Sequence, residues 1–188
     1  MQLSAIVILV LYGILGVIFA AVLAQVAISG GEGYGRSTIT GFWQITGKIL
    51  IMLPIMYLPL VAIGWLKPPH SPPLWLEWLA VFVAFEAMLF GGFALLKMGK
   101  YTKMALPKND DIPLLTTGVY SLSRNPMYLG LYLLAIAAVL YMPCLPVAVS
   151  AVTGIIIHHK IIINEEKFLE KKFGQSYRNY RKSVRRYL

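Results

Sequence analysis

The stretch Met127–Ile157, MYLGLYLLAIAAVLYMPCLPVAVSAVTGIII, decides how this chain is folded. Its 31 residues carry no charge. As one straight helix they would be about 46 Å long, against a bilayer hydrocarbon core of about 30 Å. Pro143 and Pro146 lie near the middle, where a continuous helix would lose a backbone hydrogen bond and meet a steric clash. Two antiparallel helices turning around Met142 to Pro146 satisfy both constraints. Each arm then reaches membrane depth by borrowing flanking residues, Leu122 to Asn125 on one side and His158 to Ile163 on the other. Residues equidistant from such a turn meet at the same end. Arg124 and Glu166 average to position 145, so Arg124-Asn125-Pro126 is expected beside Asn164-Glu165-Glu166. That places the charges at a membrane interface, where they cost far less than at the midplane.

Three further apolar runs precede this hairpin: Leu3 to Ser29, about Ile49 to Leu66, and about Leu76 to Leu96 with Glu86 inside it. The first lacks a lysine or arginine ahead of it and is longer than the roughly 7 to 15 residues of a signal-peptide core, so it is expected to be retained. The second stops at Lys67-Pro68-Pro69-His70, followed by Pro72-Pro73. With 58% hydrophobic and 13% charged residues in 188, the chain inverts the balance of a soluble domain. The expected fold is all-α: a polytopic membrane bundle of five transmembrane helices, with the fourth and fifth as a hairpin and a C-terminal amphipathic helix. Residues 1–96 form three N-terminal spans and residues 97–188 the functional region. Turn signals at Pro107, Asp110, Asp111, Pro113 and Gly118 mark the polar segment between Lys97 and Arg124.

Basic residues orient this arrangement. Lys97, Lys100, Lys103, Lys108 and Arg124 precede the hairpin and eight lysines and arginines follow Asn164, so both flanks are expected on the cytoplasmic side. Arg36 and Lys48 then fall inside, the Lys67 to Pro73 loop outside and the N-terminus outside. The net charge of +9 sits beside hydrophobic spans and in the tail, which points to anionic lipid headgroups and excludes a nucleic-acid module. Cys144 is the single cysteine, so there is no intramolecular disulfide and no cysteine-rich metal site.

Asn125-Pro126 reads as a helix start, with asparagine as N-cap and proline at the first helical position. An interfacial Arg124–Glu166 salt bridge would complete a purely structural account. The surrounding sequence adds something more. Thr117-Gly118-Val119-Tyr120-Ser121-Leu122-Ser123-Arg124-Asn125-Pro126-Met127-Tyr128-Leu129-Gly130 resembles the G-x-Y-x-x-x-R-H-P-x-Y-x-G signature of the isoprenylcysteine carboxyl methyltransferase family. Glu165-Glu166, Phe173-Gly174, Tyr177 and Tyr180 resemble its terminal E-E…F-G-x-x-Y-x-x-Y pattern. The resemblance covers about the last 80 residues, including the hairpin spacing, and suits a short prokaryotic member.

That resemblance implies methyl transfer from S-adenosylmethionine, leaving S-adenosylhomocysteine, to the carboxylate of a lipidated C-terminal cysteine or another amphiphilic acceptor. A cationic sulfonium and an anionic carboxylate neutralise each other in the transition state, so a low-dielectric site holding them in line favours reaction without a metal or a general base. By the same resemblance Tyr120, Asn125, Pro126, Met127 and Tyr128, with Gly118 and the run Ile112, Pro113, Leu114, Leu115, lie on the cofactor. Arg124, Glu165 and Glu166 are the catalytic candidates. Arg124→Ala and Glu165→Gln are expected to reduce turnover with little loss of folded protein. Two departures stand out: Asn125 replaces the family's usual histidine, and Ile161, beside Lys160, occupies the place of an arginine in the eukaryotic enzymes.

Phospholipid N-methyltransferases have a similar terminal region, and a protonated amine acceptor would need a base, for which Glu165 or Glu166 is a candidate. An NADPH-dependent sterol-type membrane reductase, with a related C-terminal hairpin, and a non-enzymatic scaffold are rival readings of the same pattern. His158 and His159 point about 100° apart on a helix and do not readily share a metal, so interfacial anchoring or a headgroup contact is expected. Glu86 is an intramembrane charge with Lys48 as a possible partner. The Gly30–Gly35 run follows no strand and reads as a connection. Tyr177, Tyr180, Val184 and Tyr187 at helical spacing, with Arg178, Arg181, Lys182, Arg185 and Arg186 around them, read as a basic stripe lying on an anionic bilayer, or as a lid over the cofactor.

Overall fold

A computed structural model describes residues 2–28, 41–68, 70–101 and 113–188. The Gly30–Gly35 run, Arg36, Lys103, Pro107, Lys108, Asp110, Asp111 and Ile112 lie outside them. The described chain is helical throughout: α1 (Leu3–Ile28), α2 (Gly41–Ala62), α3 (Leu74–Met98), α4 (Pro126–Tyr141), α5 (Leu145–Phe173) and α6 (Gln175–Ser183), with short 3-10 turns at Gly99–Tyr101 and Gly118–Ser121. Four of these, α1, α2, α3 and α5, are long and apolar enough to cross a membrane.

A bilayer is the solvent this surface requires. Along α1, Leu3, Val10, Val17 and Leu23 face outward, Val17 at 70% exposure, and Phe42, Trp75, Phe82 and Phe93 do the same on α2 and α3. An apolar surface this continuous is not sustained in water, and in lipid only segments with internally satisfied backbones survive. The protein is therefore a multi-pass membrane protein.

Several boundaries differ from the sequence expectation, each for a local reason. The second helix begins at Gly41, well before Ile49, because the apolar Phe42, Trp43 and Ile45 carry it through Gln44, Thr46 and Lys48. α4 borrows nothing from Leu122 to Asn125: Pro126 occupies its first turn, and the residue before a proline is kept out of helical geometry. It is left with 16 residues, about 24 Å. α5 instead runs for 29 residues to Phe173, well past the point where its sequence turns charged, so that its last turns project beyond the apolar zone.

The arms on either side of Met142–Cys144 seat mainly on different partners, α4 on α3 and α5 on α2. Each seat has a glycine at its closest approach. A Cβ on Gly130 of α4 would lie 2.6 Å from the Gly91 backbone nitrogen of α3, and one on Gly154 of α5 would lie 2.8 Å from that of Ile51 on α2. The α2–α5 seat also repairs a defect. Pro54 inside α2 has no N–H to offer the Leu50 carbonyl, and the Ser150 hydroxyl of α5 donates to that oxygen at 2.7 Å. Ser150→Ala is expected to cost about 1–2 kcal/mol by leaving a half-buried carbonyl short of a partner. Thermal melts in detergent would check this, Ser150→Thr serving as the control that keeps the hydroxyl.

At the proline-loop end Glu77 is buried, and its carboxylate accepts the Ser4 hydroxyl at 2.5 Å, tying α3 to α1. The opposite end, which we call the basic end, carries the 3-10 turn at Gly118–Ser121, the start of α4, the end of α5 and the tail.

Candidate active site

The basic end is organised around Glu166, which is 5% exposed. Arg124 reaches its carboxylate with Nε at 3.3 Å and Nη2 at 3.0 Å, Arg186 with Nη2 at 2.9 Å, and the Asn125 amide donates at 2.9 Å. The expected meeting of Arg124 with Glu166 is thus present, and Asn125 joins it. Asn125 stands at the N-cap position of α4, but its side chain forms no capping bond. It turns instead to Glu166 and to the Arg186 carbonyl, while the Ser123 hydroxyl takes the Asn125 N–H at 3.2 Å.

The tail closes this cluster. α5 stops at Gly174, whose φ of 54° lets the chain turn into α6. Tyr177 and Tyr180 point into the protein, and the Tyr180 hydroxyl donates to the Tyr120 carbonyl at 2.6 Å. The helix ends at Ser183, and Val184 is extended with φ −125° and ψ 134°. Beyond it the chain runs as a strap: the Arg124 N–H donates to the Arg185 carbonyl at 2.9 Å, and Arg124 Nη1 to the Val184 carbonyl at 2.8 Å. This corrects the expected stripe. Tyr177, Tyr180 and Tyr187 face protein rather than lipid, Arg186 turns inward to Glu166, and Arg178, Arg181, Lys182 and Arg185 stay exposed.

Electrostatics follow from the packing. The hydrogen bond to Glu166 raises the Arg186 pKa above its ordinary value, so that side chain stays cationic. Burial, reinforced by nearby Glu166, pushes Tyr177 up to about 12, and burial also raises Tyr120, Tyr180 and Tyr187. These phenols are neutral packing and hydrogen-bonding groups.

Glu165, one residue along α5, faces elsewhere. It accepts the Tyr128 hydroxyl at 2.9 Å. Tyr128 in turn lines an apolar cavity of about 360 Å³ with Met127, Gly130, Gly91, Met52, Met56 and Phe19, so that it lies among α1, α2, α3 and α4. The candidates therefore form two groups. Arg124, Asn125 and Glu166 make a charged clamp that holds the tail, and Tyr128 and Glu165 make a polar pair at the edge of an apolar cavity. Pro126 is fully buried between them. Tyr120 anchors α6, Gly118 opens the 3-10 turn, and Pro113, Leu114 and Leu115 run ahead of it as irregular chain, exposed to half-buried. Ile112 lies outside the described residues.

Among the described residues no group of three or more His, Cys, Asp or Glu is placed to hold a metal. Arg186 and Tyr187 were not legible as site residues. The signal for the first was stoichiometric: two adjacent glutamates, Glu165 and Glu166, stand against the single guanidinium of Arg124, and the tail carries four further arginines.

A family model for phospholipid methyltransferases matches residues 74–176, more than half of the chain, from the start of α3 to α6. The chain is also similar to a protein-S-isoprenylcysteine O-methyltransferase of Dictyostelium discoideum, at 33% identity over 78 residues. That match covers 41% of this chain and 33% of the relative, so the chain matches about a third of that protein's length. No solved structure matches. The Arg124–Glu166 clamp and the Tyr128–Glu165 pair both lie inside the matched region, and the chain belongs to the phospholipid methyltransferase family as an isoprenylcysteine-methyltransferase-like member.

Proposed function

We propose that this chain transfers a methyl group from S-adenosylmethionine to the polar end of an amphiphilic acceptor, at the basic end of the bundle on the cytoplasmic face, with the N-terminus outside. In this reading α4 is a fifth span and forms a hairpin with α5. The observation that carries it is the shared wall: Met127 and Tyr128 belong both to the motif associated with the cofactor and to the lining of the apolar cavity. An acceptor chain held in that cavity would bring its head to Tyr128 and Glu165.

The residues present suit the cofactor. Asn125 makes no side-chain capping bond to α4, so the first-turn N–H groups of Met127 and Tyr128 would serve as donors to an anion such as the methionine carboxylate. Tyr120, Gly118 and the apolar Pro113–Leu115 run would flank the adenosine, with Ile112 ahead of them. When bound, S-adenosylmethionine supplies an electrophilic methyl on a sulfonium. The chain's own task is to hold the acceptor in line with it and keep water away.

The carboxylate of an isoprenylcysteine-like lipid is the acceptor suggested by the relative's name, and it needs no base. A phospholipid amine is the second reading. Glu165 favours it, since a carboxylate at the cavity's polar end attracts an ammonium and repels another carboxylate. Titrating the purified protein in detergent separates the cofactor classes. S-adenosylhomocysteine at a hundredfold over its Kd is expected to stabilise the fold by about 2.7 kcal/mol, and NADPH to leave the melting temperature unchanged. Stabilisation by NADPH alone would point to a reductase, and by neither to a scaffold.

A further inference from the structure

Glu86 puts a carboxyl group on the outer side of α3, away from the chemistry proposed at the basic end. It is twelve residues from either end of the helix, about 18 Å along the axis in each direction, which is midplane depth. Its direction follows from the helix period. Glu77 and Leu95, nine residues away on either side and so about 180° around the helix, are buried, as are Ala80, Ala84 and Gly91 near them. Glu86 therefore lies on the lipid-facing side, in a row with Leu79, Phe82, Leu89, Phe93 and Leu96. Phe82 is 59% exposed and Phe93 54%, and Glu86 and Leu89 are half-buried. Among the described residues Glu86 has no hydrogen-bond or ion-pair partner. Lys48, the partner suggested by the sequence, lies on α2, where its charge acts on Glu165 and His158.

Hydrocarbon offers such a group nothing, and lipid headgroups do not reach the midplane. Ionisable side chains within a span face protein, a water-filled cavity or one another. The row itself describes the partner. From Leu79 to Leu96 its spacing alternates three and four residues, the a/d pattern of a helix pair, with Glu86 at a central a position. The other members are apolar, so a partner must bring a matching polar group at one depth only. A second copy of this chain meets that condition: it inserts in the same orientation, and a parallel twofold pair sets each a residue against its own copy.

We propose that α3 is the interface of a parallel homodimer, in which these rows pair about a twofold axis normal to the membrane and the two Glu86 carboxyl groups hydrogen-bond to each other. A carboxyl group in its neutral form has one O–H donor and one carbonyl acceptor, so two of them close a reciprocal pair across the axis. Sliding one helix by a turn would leave both groups in hydrocarbon, and the pair thereby fixes the register as a lone polar a residue does. The acceptor cavity stays within each protomer. Gly91 and Leu95, through which α3 lines it, lie on the opposite side of the helix from the row. The pairing is independent of which acceptor is methylated.

The test uses the full chain in phosphatidylcholine vesicles, labelled with donor or acceptor dye at its single cysteine, Cys144. Energy transfer is followed as the protein is diluted with lipid, and the unaltered chain is expected to show the dependence on acceptor fraction of a dimer. Glu86→Leu removes no contact within the chain and suits lipid better, so it should stay helical by far-UV dichroism and dissociate at an about tenfold higher protein-to-lipid ratio. Glu86→Gln keeps a donor and an acceptor and should pair within about twofold of the unaltered chain. Phe82→Ala, in the row, should also weaken pairing, whereas Val17→Ala, exposed on α1, should not. Transfer that never exceeds random proximity would overturn the dimer and leave the row to lipid or to another membrane protein. Undiminished pairing in Glu86→Leu, a loss in Glu86→Gln as large as in Glu86→Leu, or equal weakening by Phe82→Ala and Val17→Ala would rule out this interface.

Discussion

Glu166→Ala is expected to leave little folded protein, with a loss of about 3–5 kcal/mol, because it strands two guanidiniums that the fold has partly withdrawn from water. Arg124 is 7% exposed at its side chain and Arg186 31%. Both aim at the same two oxygens. The deeper one would be the more costly to leave unpaired, so Arg124→Ala is expected to destabilise more than Arg186→Ala, whose side chain can relax toward water. This revises the expectation that Arg124→Ala would lower turnover with the fold intact. Arg124 also donates to the Arg181 and Val184 carbonyls at 3.3 and 2.8 Å, so removing it frees the tail as well as Glu166. Replacing all three charges at once with Leu or Met of similar volume should recover much of the loss, since a buried pair is far more costly to break than to replace. Melting curves in detergent for Glu166→Ala, Arg124→Ala, Arg186→Ala and the triple variant check the order. A Glu166→Ala protein that melts with the wild type would show that the clamp contributes nothing.

What could be read in advance follows the physics of each signal. The meeting of Arg124 with Glu166 came from counting equal distances from a proline turn, a geometric argument that needs no side-chain detail. The start of α2 at Gly41 was hidden because Gln44, Thr46, Gly47 and Lys48 break the apolar run, although a helix end near an interface tolerates them. The tail misled for the opposite reason. Tyr177, Tyr180, Val184 and Tyr187 keep helical spacing, but Val184 leaves the helix so that Arg186 can reach Glu166. Tertiary electrostatics overrode a local period there. Nor did sequence distinguish Glu165 from Glu166. Neighbours on a helix diverge by about 100°, and which one met the guanidiniums depended on the rotation of α5 against α4. The inward placement of His158 was set by the same rotation.

Gly16→Trp is expected to cut transfer to a long-chain acceptor about a hundredfold while leaving S-adenosylhomocysteine affinity unchanged. Gly16 lines the apolar cavity, and a Cβ built on it meets nothing within 4 Å, so the indole can project into that space without forcing α1 away from its neighbours. Each acceptor methylene kept out of the cavity forgoes about 0.8 kcal/mol, and excluding three to four of them forgoes about 2.8 kcal/mol, or roughly a hundredfold. Gly13 supplies the control. It lies on the same helix, is equally open around its Cβ and does not line the cavity, so Gly13→Trp should methylate at close to the wild-type rate. A short-chain, water-soluble acceptor makes the attribution sharper, because its rate should fall little in Gly16→Trp if the loss comes from the displaced chain. The readout is kcat/KM for long and short acceptors across the three proteins. Equal losses for both acceptors, or equal losses in Gly13→Trp and Gly16→Trp, would show that the acceptor chain lies elsewhere, and the shared wall of Met127 and Tyr128 would then no longer connect lipid to chemistry.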